Sequence, residues 1–227
     1  MDERSAVSWV RMFNEFDTTA IEIDVERWER RALLEMFAKF DEPYHGVCVR
    51  VDCTETFRFA KESGLSIFLS LQHRSLKAAN GLAAMKTRIV GDKVFAFETI
   101  HGGSAVGRAN GTIGFGHYPY RAGIAEFARE GAKVFEAVKE RDDLERFPYQ
   151  NLIRYSVLPW LDFTSISHAR DYSRADSAPR VTFGKITESG GRRTMPVSIH
   201  AHHALMDGSH VAEFVEAFQG YLARPED

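Results

Sequence analysis

Between Met195 and Ala201 the chain alternates with a period of two. Met195, Val197, Ile199 and Ala201 are apolar, while Pro196, Ser198, His200 and His202 share the other parity. Such alternation predicts a strand with one face in a core. His203 falls on the apolar parity and is the odd polar residue there. Beyond Asp207-Gly208, the positions Val211, Phe214, Val215, Phe218 and Leu222 recur at the three-and-four spacing of a helix laid on a sheet, with Ser209 as its predicted N-cap. Leu152 to Val157 and Arg180 to Thr187 read as two more strands, and Gly190-Gly191 as the turn joining the second of them to the Met195 to His203 strand.

Upstream, Val25, Trp28, Leu33, Met36, Phe37 and Phe40 approximate one helical stripe, with Asp24 as its N-cap. Val47, Val49 and Val51 alternate with Cys48, Arg50 and Asp52 in a half-buried strand, after which Thr54 caps a short helix. A second helix runs from Ser66 to about Ala79, and Lys86 to Val90 with Lys93 to Glu98 flank Gly91-Asp92 as a hairpin. Tyr120 to about Arg141 forms a long surface helix with Ile124, Phe127, Val134, Phe135 and Val138 on one side. From Gly102 to Gly116 glycines interrupt every run, and the pattern assigns no elements. Strands and helices mixed without strict alternation predict an α/β fold, a two-layer sandwich with a mixed, largely antiparallel sheet covered by helices. At 227 residues, with no repeat, linker or low-complexity run, the chain fits one domain over 1–227.

Composition acts mainly by exclusion. With 44% hydrophobic and 27% charged residues the chain is ordinary for a globular protein. A formal net charge of -3, with cationic clusters no larger than pairs such as Arg30-Arg31 and Arg192-Arg193, argues against nucleic acid as a partner. Cys48 and Cys53 lie at opposite parities of a strand-like segment, which disfavours a mutual disulfide and fits a reduced, cytoplasmic setting. Met1 to Trp9 carries Asp2 and Glu3 and no apolar run, so neither a secretory signal nor a membrane anchor is expected.

Histidine ordinarily titrates near neutrality, so an imidazole at a strand end in a partly dry site suits proton abstraction. The string His202-His203-Ala204-Leu205-Met206-Asp207-Gly208, set on strand, turn and helix, favours a catalytic His203 over a hydrogen-bonded structural one. A zinc site remains an alternative, because His200 and His202 lie two apart on one strand face with Asp207 or His210 as a third ligand. Other signals fail. His101-Gly102-Gly103 lacks a Gly-x-Ser-x-Gly elbow, and Gly114-Phe115-Gly116 lacks a third glycine at the dinucleotide spacing.

The doubled histidine with its Asp-Gly resembles the motif of the chloramphenicol acetyltransferase family of CoA-dependent acyltransferases. The likeness extends to Trp28-Glu29-Arg30-Arg31, to Ser156-Val157-Leu158-Pro159-Trp160 with Phe163-Thr164-Ser165 after it, and to Ala178-Pro179-Arg180-Val181-Thr182-Phe183-Gly184-Lys185. It implies an enzyme in which acetyl-CoA, as co-substrate and without a metal, donates an acetyl group directly to a hydroxyl of a small-molecule acceptor, chloramphenicol or a related compound. On this resemblance His203 is the general base, Ser156 stabilises the oxyanion, Thr182 assists through a bound water, and Lys185 meets the CoA phosphate region. Asp207 pairs with Arg30 to hold the architecture rather than forming a triad with His203. The resemblance also implies a homotrimer with sites at subunit interfaces.

Met36, Phe37 and His168 fall where the family shapes its acceptor pocket, and they depart from its usual residues. A polar His168 in place of an aliphatic wall leaves the acceptor open to a different alcohol or amine. Two relatives of the same logic fit less well. A dihydrolipoamide acyltransferase would bring a lipoyl domain and linker, and a nonribosomal condensation domain needs two such folds in tandem. A non-catalytic trimeric binding protein is a further alternative, opposed by the joint presence of His203, Ser156 and Arg30.

Overall fold

The computed structural model describes residues 19–144, 149–170 and 176–226. Met1 to Trp9, for which the sequence predicts no targeting segment, lie outside them. In chain order the elements are β1 (Ala20–Glu22), a 3-10 turn (Val25–Arg27), α1 (Arg31–Phe37), β2 (Tyr44–Asp52), α2 (Thr54–Glu62), α3 (Ile67–Asn80) and α4 (Ala83–Lys86). There follow β3 (Thr87–Val90), β4 (Lys93–Phe97), β5 (His101–Gly107), β6 (Ile113–Tyr118), α5 (Ile124–Glu140), β7 (Leu152–Val157), β8 (Arg180–Phe183), β9 (Thr187–Ser189), β10 (Arg192–His202) and α6 (Gly208–Ala223).

Seven strands form one sheet in the order β2-β10-β8-β7-β5-β6, with β9 paired to β10. The β5/β7 and β7/β8 pairs are parallel and the other pairs antiparallel. The mixed, largely antiparallel sheet of the sequence reading is therefore observed. Helices cover one face. From α3, Ser75 Oγ accepts from the Tyr155 hydroxyl at 2.8 Å, and Gln72 Oε1 accepts from Tyr118 at 2.8 Å. From α6, Phe218 packs 5.9 Å from the ring of Phe183. Met195, Val197, Ile199 and Ala201 are all buried in this layer, as their parity requires. The opposite face carries the polar alternates, and a row runs across it through Ser156, Thr182, Ser198 and Cys48.

A small antiparallel sheet, β1-β4-β3, sits beside the large one. Arg88 ties the two together from a fully buried position. Its guanidinium donates to the carbonyls of Met85, Thr87, Gln150 and Leu152 at 2.7–3.0 Å, so burial brings its pKa down only to about 10 and the cation persists. Among the described residues no helix is long and apolar enough to cross a membrane.

Several local expectations are corrected. The helix predicted from Asp24 comes in two pieces. Asp24 accepts from Glu26 N and caps only the 3-10 turn, Trp28 leaves helical geometry with ψ 131 to pack on the core, and α1 starts at Arg31. Neither Ser209 nor Thr54 is a cap. At both helix starts the aspartate two residues earlier accepts the N–H and the hydroxyl proton, Asp207 from Ser209 and Asp52 from Thr54. The strand expected over Arg180 to Thr187 stops at Phe183; Gly184 N still donates to Pro196 O, but the Lys185 N–H turns to Leu161 O and leaves the ladder. The Gly190-Gly191 turn, with φ of 57° and 76°, therefore joins β9 rather than β8 to β10. The unassigned stretch from Gly102 to Gly116 is the β5/β6 hairpin.

Candidate active site

β10 ends at His202 and the chain turns at once. That turn is clasped from outside. His203 N donates to Pro43 O at 2.8 Å, while Arg30 spreads its three nitrogens over Ala204 O (Nε, 3.0 Å), His203 O (Nη2, 3.1 Å) and Asp207 Oδ2 (Nη1, 3.1 Å). The Arg30 side chain is only 11% exposed. The other Asp207 oxygen starts α6 by accepting from Ser209 N and Oγ, and His210 Nδ1 lies 2.8 Å from it. The Ser209 hydroxyl first, with Arg30 and His210, holds the Asp207 carboxyl well below the usual carboxylate range. No carboxylate touches the His203 ring among the described residues. Asp207 is spent on the turn.

The His203 imidazole is held instead between two rings. Phe37 stacks on it at 4.5 Å and 12°, and His45 meets it at 4.4 Å and 36°. Its Nδ1 is buried without a hydrogen-bond partner among the described residues. His45 Nε2 donates to Met206 O at 3.1 Å, which makes Nε2 the protonated nitrogen. Burial, and next the charge of His203, push the pKa of His45 down.

Sequence reasoning missed His45 although the signal was present. It shares the parity of Val47, Val49 and Val51, the same misplacement that singles out His203.

A second group lies on the helix-free sheet face. A cavity of about 300 Å³ there is lined by Ser156, His168, Arg154, Arg180, Phe115 and Ile113, among others. Ser156 and Thr182 are cross-strand partners. The Ser156 hydroxyl has no hydrogen bond among the described residues, whereas Thr182 Oγ1 lies 3.3 Å from His168 Nε2. His168 meets His200 edge-on at 4.9 Å, and burial, followed by the charges of His200, Arg180 and Arg170, pushes its pKa down to about 4. It is a neutral imidazole near pH 7.

The predicted residues therefore fall into two groups, His203, Arg30, Asp207 and Phe37 at the end of β10, and Ser156, Thr182 and His168 on the sheet face. Thr182 pairs with Ser198, five residues before His203, or about 16 Å along the strand. Met36 is 44% exposed, and Lys185 is exposed on the loop after β8 with its N–H on Leu161 O. The zinc candidates do not converge. His202 Nδ1 accepts from Ala204 N and its ring faces Tyr44, Asp207 and His210 engage each other, and no group of three His, Cys, Asp or Glu is placed to share an ion among the described residues.

Comparison with known proteins identifies the family. A sequence model of the family described as chloramphenicol acetyltransferase matches residues 18–219. Chloramphenicol acetyltransferase 3 of Escherichia coli is 25% identical over 205 residues, covering 86% of this chain and 93% of that protein. The Bacillus pumilus chloramphenicol acetyltransferase is 25% identical over 76% of this chain and 80% of its own length. A solved chloramphenicol acetyltransferase superposes with a TM-score of 0.81 at 28% identity, over 90% of this chain and all of that one. The catalytic core of a 2-oxoacid dehydrogenase complex from Thermoplasma acidophilum shares the fold, with a TM-score of 0.66 at 16% identity over 88% of this chain and 96% of that one.

Proposed function

The chain belongs to the chloramphenicol acetyltransferase family, and from its geometry we propose that His203 is the general base of a direct acetyl transfer from acetyl-CoA to a hydroxyl of a small-molecule acceptor. The chain is an acetyl-CoA-dependent O-acetyltransferase. Chloramphenicol or a related compound is the acceptor read from its relatives, and the proposed setting is the cytoplasm. The thioester supplies an activated acetyl group, and the chain supplies position, charge and a proton path.

His203 takes the proton of the acceptor hydroxyl as that oxygen bonds to the acetyl carbonyl carbon. The electron pair moves to the carbonyl oxygen, toward which Ser156 points its unengaged hydroxyl, while Thr182 assists through a water. The carbonyl re-forms, the carbon–sulfur bond breaks, and the imidazolium returns its proton to the departing thiolate. No acyl-enzyme forms, and base and acid are one residue. Because Nδ1 is the buried nitrogen, proton transfer falls to Nε2. Arg30 and Asp207 hold the turn beneath the ring, Phe37 supports the ring, and Met36, Phe37 and His168 border the acceptor. Lys185, exposed and cationic, suits the phosphate end of CoA.

The observation that carries this reading is the clasp of Arg30 on His203 O, Ala204 O and Asp207. It fixes the base through its backbone and leaves the ring free of any carboxylate.

The separation of His203 from Ser156 and Thr182 along the sheet supports a homotrimer in which the site is completed at each subunit interface. His203 of one copy would there meet Ser156 and Thr182 of the next. Thiol release from acetyl-CoA with chloramphenicol and a panel of small alcohols, compared between the wild type and His203→Ala on whichever acceptor the wild type uses, tests the base. Equal rates would end the proposal.

A further inference from the structure

We infer that the acceptor bound in the Ser156 cavity carries a carboxylate, received by the paired guanidinium groups of Arg154 and Arg180. The inference deepens the acetyltransferase reading, rests on it for the identity of the bound molecule as an acceptor, and sets a hydroxy acid in the place of chloramphenicol, which has no carboxylate.

The two arginines are direct cross-strand partners on β7 and β8, on the same face as Ser156 and Thr182. Like charges placed opposite each other on adjacent strands repel, and an anion shared between them relieves that repulsion. Asp176 is one such anion. Its Oδ2 lies 3.0 Å from Arg180 Nη2 and 3.4 Å from Arg154 Nε. Burial alone would raise the pKa of Asp176, but Arg154, the Ala178 N–H and Arg180 together bring it below the ordinary value. Among the described residues, one carboxylate between two guanidiniums leaves a positive charge over.

That charge faces the cavity. Arg154 and Arg180 line it and Asp176 does not, so its described walls carry two guanidiniums and no carboxylate. His168 adds no compensating charge. Nε of Arg180 is buried without a hydrogen-bond partner among the described residues, and a buried donor left unmatched is costly, while Nε of Arg154 has only its 3.4 Å ion pair with Asp176.

Reach narrows the class. Arg154 and Ser156 are two residues apart on one face of β7, about 7 Å, and Phe115 and Ile113 line the cavity beside them. A carboxylate on the arginines then places the far end of a flat or short apolar body, bearing the reacting hydroxyl, beside the oxyanion donor. The acceptor is a small hydroxy acid with about 7 Å between its two ends.

The test uses 4-(hydroxymethyl)benzoate and its methyl ester, read by thiol release from acetyl-CoA and by thermal shift. Wild-type enzyme should favour the acid in kcat/KM by about 10- to 100-fold, the size of a charge-assisted contact, and the acid alone should raise Tm. Arg154→Gln should bring the acid-to-ester ratio to near unity and abolish the shift, and Arg154→Lys should restore part of both. His203→Ala should slow thiol release by about 10²- to 10⁴-fold and keep the acid-dependent shift, which separates failure of the catalytic reading from failure of this one. The inference is overturned if the ester matches the acid in both readouts, or if neither ligand shifts Tm. It is overturned too if Arg154→Gln raises KM for acetyl-CoA while the acid-to-ester ratio holds, since the guanidiniums would then serve the phosphates of the co-substrate.

Discussion

The rings of His45 and His203 lie 4.4 Å apart, inclined by 36°, with the outer face of His203 against Phe37. An imidazole squeezed between an aromatic ring and a second imidazole has little freedom to rotate, and the Nε2 hydrogen bond of His45 to Met206 O anchors that second ring to the same turn. Removing His45 should loosen the base without touching the acceptor cavity on the sheet face. His45→Ala should lower kcat by about 3- to 10-fold, the worth of one ring contact, with KM for acetyl-CoA unchanged, and His45→Phe should recover most of the loss. Steady-state kinetics on the two variants checks this, and equal kcat in all three enzymes would remove His45 from the account.

Removing His203 itself should cost about 10²- to 10⁴-fold in kcat, the usual contribution of a general base. Ser156→Ala should cost about 10²- to 10³-fold, the worth of one oxyanion donor, and should leave the unfolding midpoint in place because the hydroxyl supports no other group. Thiol release and a urea titration on each variant separate the two quantities. A Ser156→Ala enzyme with wild-type kcat would exclude its hydroxyl from the transition state.

Arg30 and Arg31 are adjacent in sequence and opposite in consequence. Arg30 serves two main-chain carbonyls and Asp207 from an 11% exposed position, and Arg30→Ala should cost about 2 to 4 kcal/mol of stability, chiefly from the carbonyls it leaves behind. Asp207 is itself 37% exposed, so the solvent-screened ion pair adds less than a fully buried one would. Arg31, half exposed and paired with Glu26 and Glu35, is the control. Arg31→Ala should leave the denaturation midpoint where it is, and a matching loss in both variants would refute the clasp.

Much of this architecture can be read from sequence, for an identifiable reason. β10, α6 and α5 announce themselves because each buries one face and wets the other. The β5/β6 hairpin does not, since Gly102 and Gly116 stand where side chains would mark the pattern. A Cβ at Gly102 would fall 2.2 Å from the ring of Tyr118, and one at Gly116 would fall 2.9 Å from Val134. The bulk that fills those positions arrives from elsewhere in the chain. The clasp was legible only through resemblance, because no spacing in one dimension relates Arg30 to Ala204. The cationic cavity was invisible for the same reason, since Arg154 and Arg180 become neighbours only when β7 and β8 pair.

Acid should destabilise the protein through its buried histidines. The pKa of His73, His168 and His202 is pushed down from 6.5 to about 4, by burial first in each case, and that of His45 and His200 is lowered as well. The unfolded chain therefore binds more protons than the folded one between pH 6.5 and about 4, so stability is complete above that window and is lost as pH falls through it. His73 and His202, 1% and 8% exposed, should each contribute a slope of up to about 1.4 kcal/mol per pH unit. Urea midpoints from pH 7 to pH 4.5 measure the effect. A flat profile would contradict it.

Complementation between two inactive variants tests how the site is assembled. If His203 and Ser156 of one catalytic centre come from different copies, a mixed trimer of His203→Ala and Ser156→Ala chains contains interfaces where an intact His203 faces an intact Ser156. Random exchange at equal ratio leaves about a quarter of interfaces with both groups whole, so unfolding the two variants together and refolding the mixture should return roughly that share of wild-type activity. Refolding each variant alone should return no more than about 1% of wild-type activity. The mass by light scattering should be three times the 25.7 kDa of one chain. Were both groups drawn from one copy, every centre in the mixture would lack one of them and activity would stay at the level of the single variants. Recovered activity therefore separates an interface site from an internal one even when both variants assemble normally.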